Sequence, residues 1–354
     1  RSLRNGGDVN RSSIEWEVEI DTTPPFVRAV TPYHYYSMGG TGVVVYQTAE
    51  DSTESGVRCG DQFYRGFRAK DRQGLWICFF PIPQEHTSKD RCQLYSKDRA
   101  GNETQTQFSY QIRPKKFRSD SITITEDFLK GIYPYFESIG IGNTQGQLVE
   151  WFKFINGKQR EMDESKFSQM AKSTHEEALW EGVFLRMKDA APMAGFGDRR
   201  SYKYGGQIIG DSVHKGVDLA SLEHSPVEAA NSGRVAFTGD LGIYGKTIIL
   251  DHGQGIFSSY SHLSEIKVEV GQRISKGQVI GRTGKTGLAG GDHLHFGIMV
   301  QGVFVNPIEW WDPLWIREKI SRWIEPEGKE ATEAGPKEAG EGPGKKKPLR
   351  GKRS

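Results

Sequence analysis

Residues 291–296 read GDHLHF, placing His293 and His295 one residue apart among glycines. Side chains at i and i+2 of a strand leave from the same face, so the two imidazoles enter one pocket. In a chain with nine histidines, such a pair calls for partners, and the strand carrying it calls for a sheet. The surrounding runs supply the sheet. QIIG, RVAFTG, KTIILDHG, FSSYSHL, KVEVG, QVIGRTG, HLHFGIMV and VFVNP are short apolar or alternating segments joined by glycine between about 195 and 312. That pattern predicts a compact antiparallel sheet closed or folded on itself. The paired phrases in VEVGQRISKGQVIG predict two successive hairpins, with Gly271, Gly277 and Gly281 at turns needing positive φ.

Partners for the histidines come from SVHKGVDLA, which supplies His214 and Asp218. Their spacing fits one helical turn, but Gly216 and the flanking valines argue for a loop or strand edge. Alongside GDHLHF, this imidazole and carboxylate complete three protein ligands to zinc with an open fourth position, a catalytic pattern. A structural zinc site would close that position, commonly with cysteine, and Cys59, Cys78 and Cys92 all lie in the N-terminal third. A metal that activates water and polarises a carbonyl leaves amide hydrolysis needing groups that move protons and hold an oxyanion. His262 in SSYSHL and the unused member of the 293/295 pair fit that work, and on bare chemistry His252 in LDHG competes for either role. No H-E-x-x-H helix brings a glutamate base, so histidine must serve.

The set HKGVD, YSHL and HLHF, in this order, strongly resembles the lysostaphin-type zinc metallopeptidases, the LytM or M23 family that cuts bacterial cell-wall peptides. The resemblance covers roughly residues 193 to 312. It implies Zn2+ held by His214, Asp218 and His295, with His262 and His293 catalytic, and no ligand role for His252. FGDRR at 196 to 200 resembles the start of the family's catalytic domain, where an arginine shapes the site, which points to Arg199 or Arg200. One departure stands in TGLAGGD: Ala289 and Gly290 replace the family's Ser-Thr pair, which alters substrate register but not the metal set. Asp292 is read as accepting turn amides rather than raising the basicity of a neighbouring histidine.

A chain of 354 residues suits two or three domains. Residues 1–21 form an extended polar lead. In 22–115, TGVVVYQTA, LWICFF and TQTQFSYQI are strand-like runs broken by turn residues, and DTTPP with KDRAGNET resembles a bacterial immunoglobulin-like β-sandwich. That module carries no catalytic grouping and reads as a spacer or contact surface. Three cysteines allow at most one disulfide and one free thiol. Residues 116–192 read as a mixed α/β connector, with helices over TEDFLKGIYPYF and Asp163 to Met187, and strands over TITED and TQGQLVEWFKFINGKQ. The second helix would carry a stripe of Phe167, Met170, Ala171, Ala178, Leu179 and Leu185. The peptidase domain spans 193–324 and ends in WWDPLWIREKISRWI, a helix packing Leu314, Ile316, Ile320 and Ile324 onto the sheet. Residues 325–354 are a charged, Gly- and Pro-rich tail expected to be disordered. The fold class is therefore mainly β: a compact antiparallel β peptidase domain preceded by an immunoglobulin-like sandwich and a helical connector.

Forty-seven basic against forty-five acidic residues, with no basic stripe, exclude a nucleic-acid partner. No run approaches about 18 apolar residues. The chain starts at Arg1 rather than Met, so a membrane anchor is expected only in an unprocessed form. The resemblance implies an enzyme of the bacterial cell envelope, in the periplasm, cleaving the D-Ala to meso-diaminopimelate cross-link of peptidoglycan. Pentaglycine bridges are the second substrate it suggests. The alternative is a non-catalytic LytM-type activator of cell-wall amidases, since some relatives keep the fold without the metal residues. A regulatory envelope protein is the further partner implied, and a connector Asn, Asp or Glu is expected on the zinc at rest.

Overall fold

The structure, a computed structural model, describes residues 14–16, 20–69, 72–85, 91–142 and 147–325. The expected disordered tail beyond Glu325 and most of the polar lead lie outside the described residues.

The N-terminal region is β-rich. Its strands are β1 (Val27–Ala29), β2 (His34–Ser37), β3 (Thr41–Thr48), β4 (Ser52–Cys59), β5 (Gln62–Arg65), β6 (Phe67–Arg68), β7 (Trp76–Pro81), β8 (Cys92–Asp98), β9 (Glu103–Gln107) and β10 (Tyr110–Arg113). They form sheets ordered β1-β3-β7-β6 and β5-β4-β8-β9, with β10 parallel to β2. TGVVVY and WICFF are continuous apolar runs because both faces of their sheet are covered. Alternate residues Val44, Tyr46, Cys78 and Phe80 pack with Val57 and Leu94 of the second sheet. Their neighbours Val43, Val45, Ile77 and Phe79 face the other way, into the core of the C-terminal domain. A disulfide joins Cys59 and Cys92 across β4 and β8, and Cys78 is free and buried.

The connector begins with β11 (Ser119–Thr123) and α1 (Glu126–Ser138), whose N-cap Thr125 accepts from Phe128 N at 3.2 Å. Then α2 (Leu148–Phe154), a π turn over Ile155–Gln159 and α3 (Arg160–Met170) run on without a break. The strand expected over TQGQLVEWFKFINGKQ is thus helical from Leu148 on, and its first three residues lie outside the described residues. Leu148, Trp151, Phe152 and Ile155 recur at helical spacing and pack on Leu129 and Phe136 of α1. The helix expected to reach Met187 instead stops at Met170. Beyond it the backbone amides find tertiary acceptors: Leu179 N donates to His252 O at 2.7 Å, Phe184 N to Trp310 O at 3.0 Å and Leu185 N to Ala230 O at 2.8 Å. Helical bonding from i to i−4 loses to these longer-range ones, which thread 171–190 across the C-terminal domain.

That domain comprises β12 (Ala191–Ala194), β13 (Arg199–Tyr204), β14 (Gln207–Val213), β15 (Val217–Ala220), β16 (Pro226–Glu228), β17 (Gly233–Asp240), β18 (Lys246–Asp251), β19 (Ile256–Leu263), β20 (Glu265–Ile266), β21 (Arg273–Ile274), β22 (Val279–Arg282), β23 (Leu294–Val300) and β24 (Val303–Val305). The main sheet runs β12-β15-β23-β19-β18-β17-β21 with β24 beside β23, all antiparallel, and a smaller sheet runs β16-β22-β20. The expected antiparallel β domain is present. β11 adds in parallel to β13, so the connector contributes a strand to the three-stranded sheet β11-β13-β14. KVEVG forms no strand beyond the Glu265–Ile266 pair preceding it. Gly271 and Gly277 take positive φ, whereas Gly281 sits inside β22, where a Cβ would stand 2.6 Å from Glu265 O. Close strand approach, not turn geometry, makes that third position glycine.

The chain closes with α4 (Pro307–Trp310), α5 (Pro313–Ile316), a π turn and α6 (Arg322–Ile324). Ile316 and Ile320 are buried in the domain core, as expected of a packing helix, but Leu314 points out at 58% exposure. Trp310 is fully buried and donates through Nε1 to Thr41 Oγ1 at 3.1 Å, while Glu309 accepts from Thr41 N at 2.7 Å. Burial pushes the Glu309 carboxyl up to about 7. Among the described residues no helix is long and apolar enough to cross a membrane.

Candidate metal centre

His214 opens the loop directly after β14, Asp218 lies in β15 and His295 in β23, and the β15–β23 register sets Asp218 directly opposite His295. Three buried side chains thereby meet. His214 Nε2 lies 2.9 Å from Asp218 Oδ1 and 3.0 Å from His295 Nδ1, and His295 Nδ1 lies 2.8 Å from Asp218 Oδ1. Two nitrogens and one carboxylate oxygen converging on one point, without cysteine, make the donor set of a catalytic zinc site. The donors fit Zn2+, and this cluster is the Zn2+ site of the domain.

Surrounding bonds fix which atom of His214 and of Asp218 serves. His214 Nδ1 donates to Gly195 O at 2.7 Å, which turns Nε2 toward the centre. Asp218 Oδ2 accepts from Arg200 Nη2 at 3.1 Å, leaving Oδ1 for the metal. Between the two expected arginines, Arg200 therefore reaches the site, whereas Arg199 pairs with Glu85. Burial would raise the Asp218 carboxyl, but hydrogen bonds from His214 and His295 together with their charges hold it well below the usual carboxylate range. Burial pushes His295 down to about 4 against the opposing pull of Asp218, so the imidazole stays neutral and able to ligate at neutral pH.

His262 and His293 stand beside this set with ring centroids 4.8 Å apart. His262 donates from Nδ1 to Thr286 O at 2.8 Å, and its ring lies 5.7 Å from that of His295. Ser261 pairs with His295 across the strands, so regular alternation would turn His262 to the opposite face. Its φ of +62° breaks the alternation, an uncommon conformation for a residue with a side chain. Burial first, then the nearby His293 and His295, hold His262 well below the ordinary histidine value. His293 donates from Nδ1 to Gly291 O at 2.9 Å and brings Nε2 to 3.7 Å from Asp218 Oδ1. The two histidines of GDHLHF thus border one pocket, as their spacing predicts.

Other candidates separate cleanly. His252 is fully buried with both nitrogens engaged, Nδ1 on Ser232 O and Nε2 on Ser258 Oγ, each at 2.7 Å, and burial pushes it down to about 4. It braces the sheet. His175 pairs with Asp251 at 2.8 Å, away from the metal. Asp292 accepts from His224 N at 3.2 Å, tying the 221–225 loop to the 286–293 loop, an amide-accepting role as expected but across two loops. The set of converging metal donors includes no acidic or histidine side chain of the connector among the described residues. Tyr244, whose ring lies 5.6 Å from that of His295, carried no sequence signal beyond its place in the glycine-flanked LGIYGK.

Comparison with known proteins meets the same residues. Residues 212–307 match the family model described as Peptidase family M23. The DD-carboxypeptidase/endopeptidase Mpg of Neisseria meningitidis serogroup B is 36% identical over 96 residues, 27% of this chain and 22% of that protein. Peptidoglycan DD-endopeptidase ShyA of Vibrio cholerae is 38% identical over 96 residues, with the same shares. Murein hydrolase activator EnvC of Escherichia coli is 35% identical over 109 residues, 31% of this chain and 26% of that protein. The aligned stretches span 22% to 26% of these relatives' own lengths. The segment 212–307 is an M23-family zinc-peptidase domain, and all five histidine and aspartate positions of the centre fall within it.

Proposed function

We propose that the chain is a zinc-dependent endopeptidase that hydrolyses peptide cross-links of bacterial peptidoglycan, at the D-Ala to meso-diaminopimelate bond. One observation carries the reading: three buried donors converge on a metal position, and two further imidazoles stand beside it with Nδ1 committed to carbonyls and Nε2 uncommitted. Bound there, Zn2+ supplies Lewis acidity toward a peptide carbonyl and a water molecule. His262 and His293 supply the rest. With Nδ1–H donated to a carbonyl, Nε2 is the basic nitrogen of each ring, able to take a proton from water and return it to the leaving amine. Protonated, either ring donates to the developing oxyanion. Depressed basicity keeps His262 neutral at pH 7, with its Nε2 lone pair free.

The choice of bond draws on similar proteins named as DD-endopeptidases. EnvC, named as an activator, supports a second reading in which the domain regulates a cell-wall amidase and needs a protein partner in the envelope. A domain serving only as an activator has no need of the complete donor set, so the peptidase reading is preferred. A disulfide fits an oxidising compartment such as the periplasm. We further read 22–115 as the immunoglobulin-like module, 116–192 as connector and 193–324 as the catalytic unit. Purified full-length protein incubated with cross-linked muropeptide dimers, with and without chelator, tests the whole reading by mass spectrometry. Chelator-sensitive splitting of the dimer at D-Ala to diaminopimelate is the expected result. Zinc-loaded, folded protein that leaves dimers intact but stimulates an amidase would replace it with the activator reading.

A further inference from the structure

The connector reaches the centre from behind. Asp163 of α3 is fully buried, yet no partner on its own helix explains its place beyond Gln159, whose Nε2 donates to Oδ1 at 2.8 Å, and Lys166, which approaches from the surface at 3.4 Å. Its other oxygen, Oδ2, accepts from Ile243 N at 2.9 Å, 80 residues away in a 3₁₀ turn over Gly242–Tyr244. Gly242 takes φ +44°, and a Cβ there would run into the Asp163 carboxylate, so the turn and the carboxylate are fitted to each other.

That turn is bonded onward to the pocket. Ile243 O accepts from Leu288 N at 2.8 Å, and Lys246 N donates to Thr286 Oγ1 at 2.9 Å. Thr286 Oγ1 donates to Leu263 O at 2.8 Å, and Thr286 O accepts the Nδ1–H of His262. In the same turn, Tyr244 lays its ring against His295, and Phe167, one helical turn beyond Asp163, packs edge-on against Tyr244 at 4.8 Å. A continuous set of contacts thus runs from a buried carboxylate of the connector to the ring of His262. The backbone that carries the metal ligands is held differently, through β15, β23 and the loop that His214 opens, although the Tyr244 ring also touches His295.

We infer that Asp163 is a positioning residue for the pocket: by fixing the 242–244 turn it holds Thr286 O, and through it His262, in the orientation that turnover requires. It lies outside residues 212–307, so the catalytic unit is incomplete without the connector. Displacing a proton-transfer group by about 1 Å can cost up to about 10²-fold in rate while leaving ground-state binding nearly intact.

The kinetic part of this inference rests on the peptidase reading, so the test has two arms on the full-length zinc-loaded protein. In the first, Asp163→Ala lowers kcat at least tenfold with KM within about twofold, at unchanged zinc stoichiometry and folded fraction, and Asp163→Asn, which keeps an acceptor oxygen for Ile243 N, restores most of it. Full kcat in folded, zinc-loaded Asp163→Ala overturns the inference, as does a loss accounted for by lost zinc or lost folded protein. The second arm reads amide hydrogen exchange. Asp163→Ala accelerates exchange in peptides covering 241–246 and 286–288 but not in 215–220 or 294–300. Unchanged exchange in the first two overturns the inference even if the wild type splits no muropeptide, an outcome that would itself sink only the peptidase reading.

Discussion

At one end of β19 and β23, His262 and His293 each commit a single ring nitrogen to a carbonyl and keep the other for the pocket. At the opposite end of the same strands, His252 binds through both nitrogens, and the Gln301 side-chain amide pairs through both its oxygen and its nitrogen. Gln301 accepts from Arg65 N at 2.9 Å and donates to Arg65 O at 2.9 Å and Phe79 O at 2.7 Å, while its own amide donates to Gly255 O at 2.7 Å. One end docks the N-terminal β region, and the other assembles a metal centre. An interface is stable when every buried polar atom is satisfied, because an orphan costs about 1–3 kcal/mol. A reactive site must instead reserve lone pairs for a ligand while the paired strands around it hold the fold.

The sharpest way to break that contrast is His293→Ala. Turnover should fall about 10³-fold, with zinc content and thermal midpoint essentially retained, as metal analysis and calorimetry would read. A large fall in the midpoint would mean that the site end also carries stability. Gln301→Ala should behave oppositely. Loss of three side-chain bonds, two of them exposed to solvent, should cost about 2 kcal/mol in urea unfolding while leaving kcat of the folded fraction unchanged.

His252 adds a pH signature to the saturated end. Its folded pKa, about 4, lies below the ordinary 6.5, so the stability tied to its neutral form is fully present above pH 6.5 and is lost as pH falls toward 4. Between pH 7 and pH 5 the wild type should lose about 2 kcal/mol through this group, and His252→Gln should flatten, without abolishing, the fall in urea midpoint, since His262 is also depressed. The smallest effect belongs to Arg200→Ala. Freeing Asp218 Oδ2 should weaken zinc about tenfold in a competition titration, with little change in the unfolding midpoint of the metal-free protein.

The centre was the most legible part of the chain because its chemistry needs specific side chains. HKGVD, YSHL and HLHF announced His214, Asp218, His262, His293 and His295, and the structure gathers all five. Glycine-bounded apolar runs likewise predicted most strands of the C-terminal sheet, with KVEVG the exception. The connector was least legible. Its apolar residues fit a helix through 163–187 by periodicity alone, yet past Met170 the backbone is claimed by His252, Trp310 and Ala230, which no local pattern reveals. The helical spacing of Leu148, Trp151, Phe152 and Ile155 is present in the sequence, against the strand expected there.

What the sequence determined by itself was the identity of the groups: two imidazoles on one strand face, a third imidazole and a carboxylate four residues apart, and glycines where the backbone bends. Local alternation and ligand chemistry act over a few residues, so a short motif contains them. The tertiary structure alone decided which atom of each group faces the metal, which arginine reaches Asp218, and how Asp163 comes to press on the 242–244 turn. Those choices rest on hydrogen bonds between residues 18 to 80 positions apart, such as Arg200 with Asp218, His262 with Thr286 and Asp163 with Ile243, and only the folded chain brings such partners within 3 Å or so of one another.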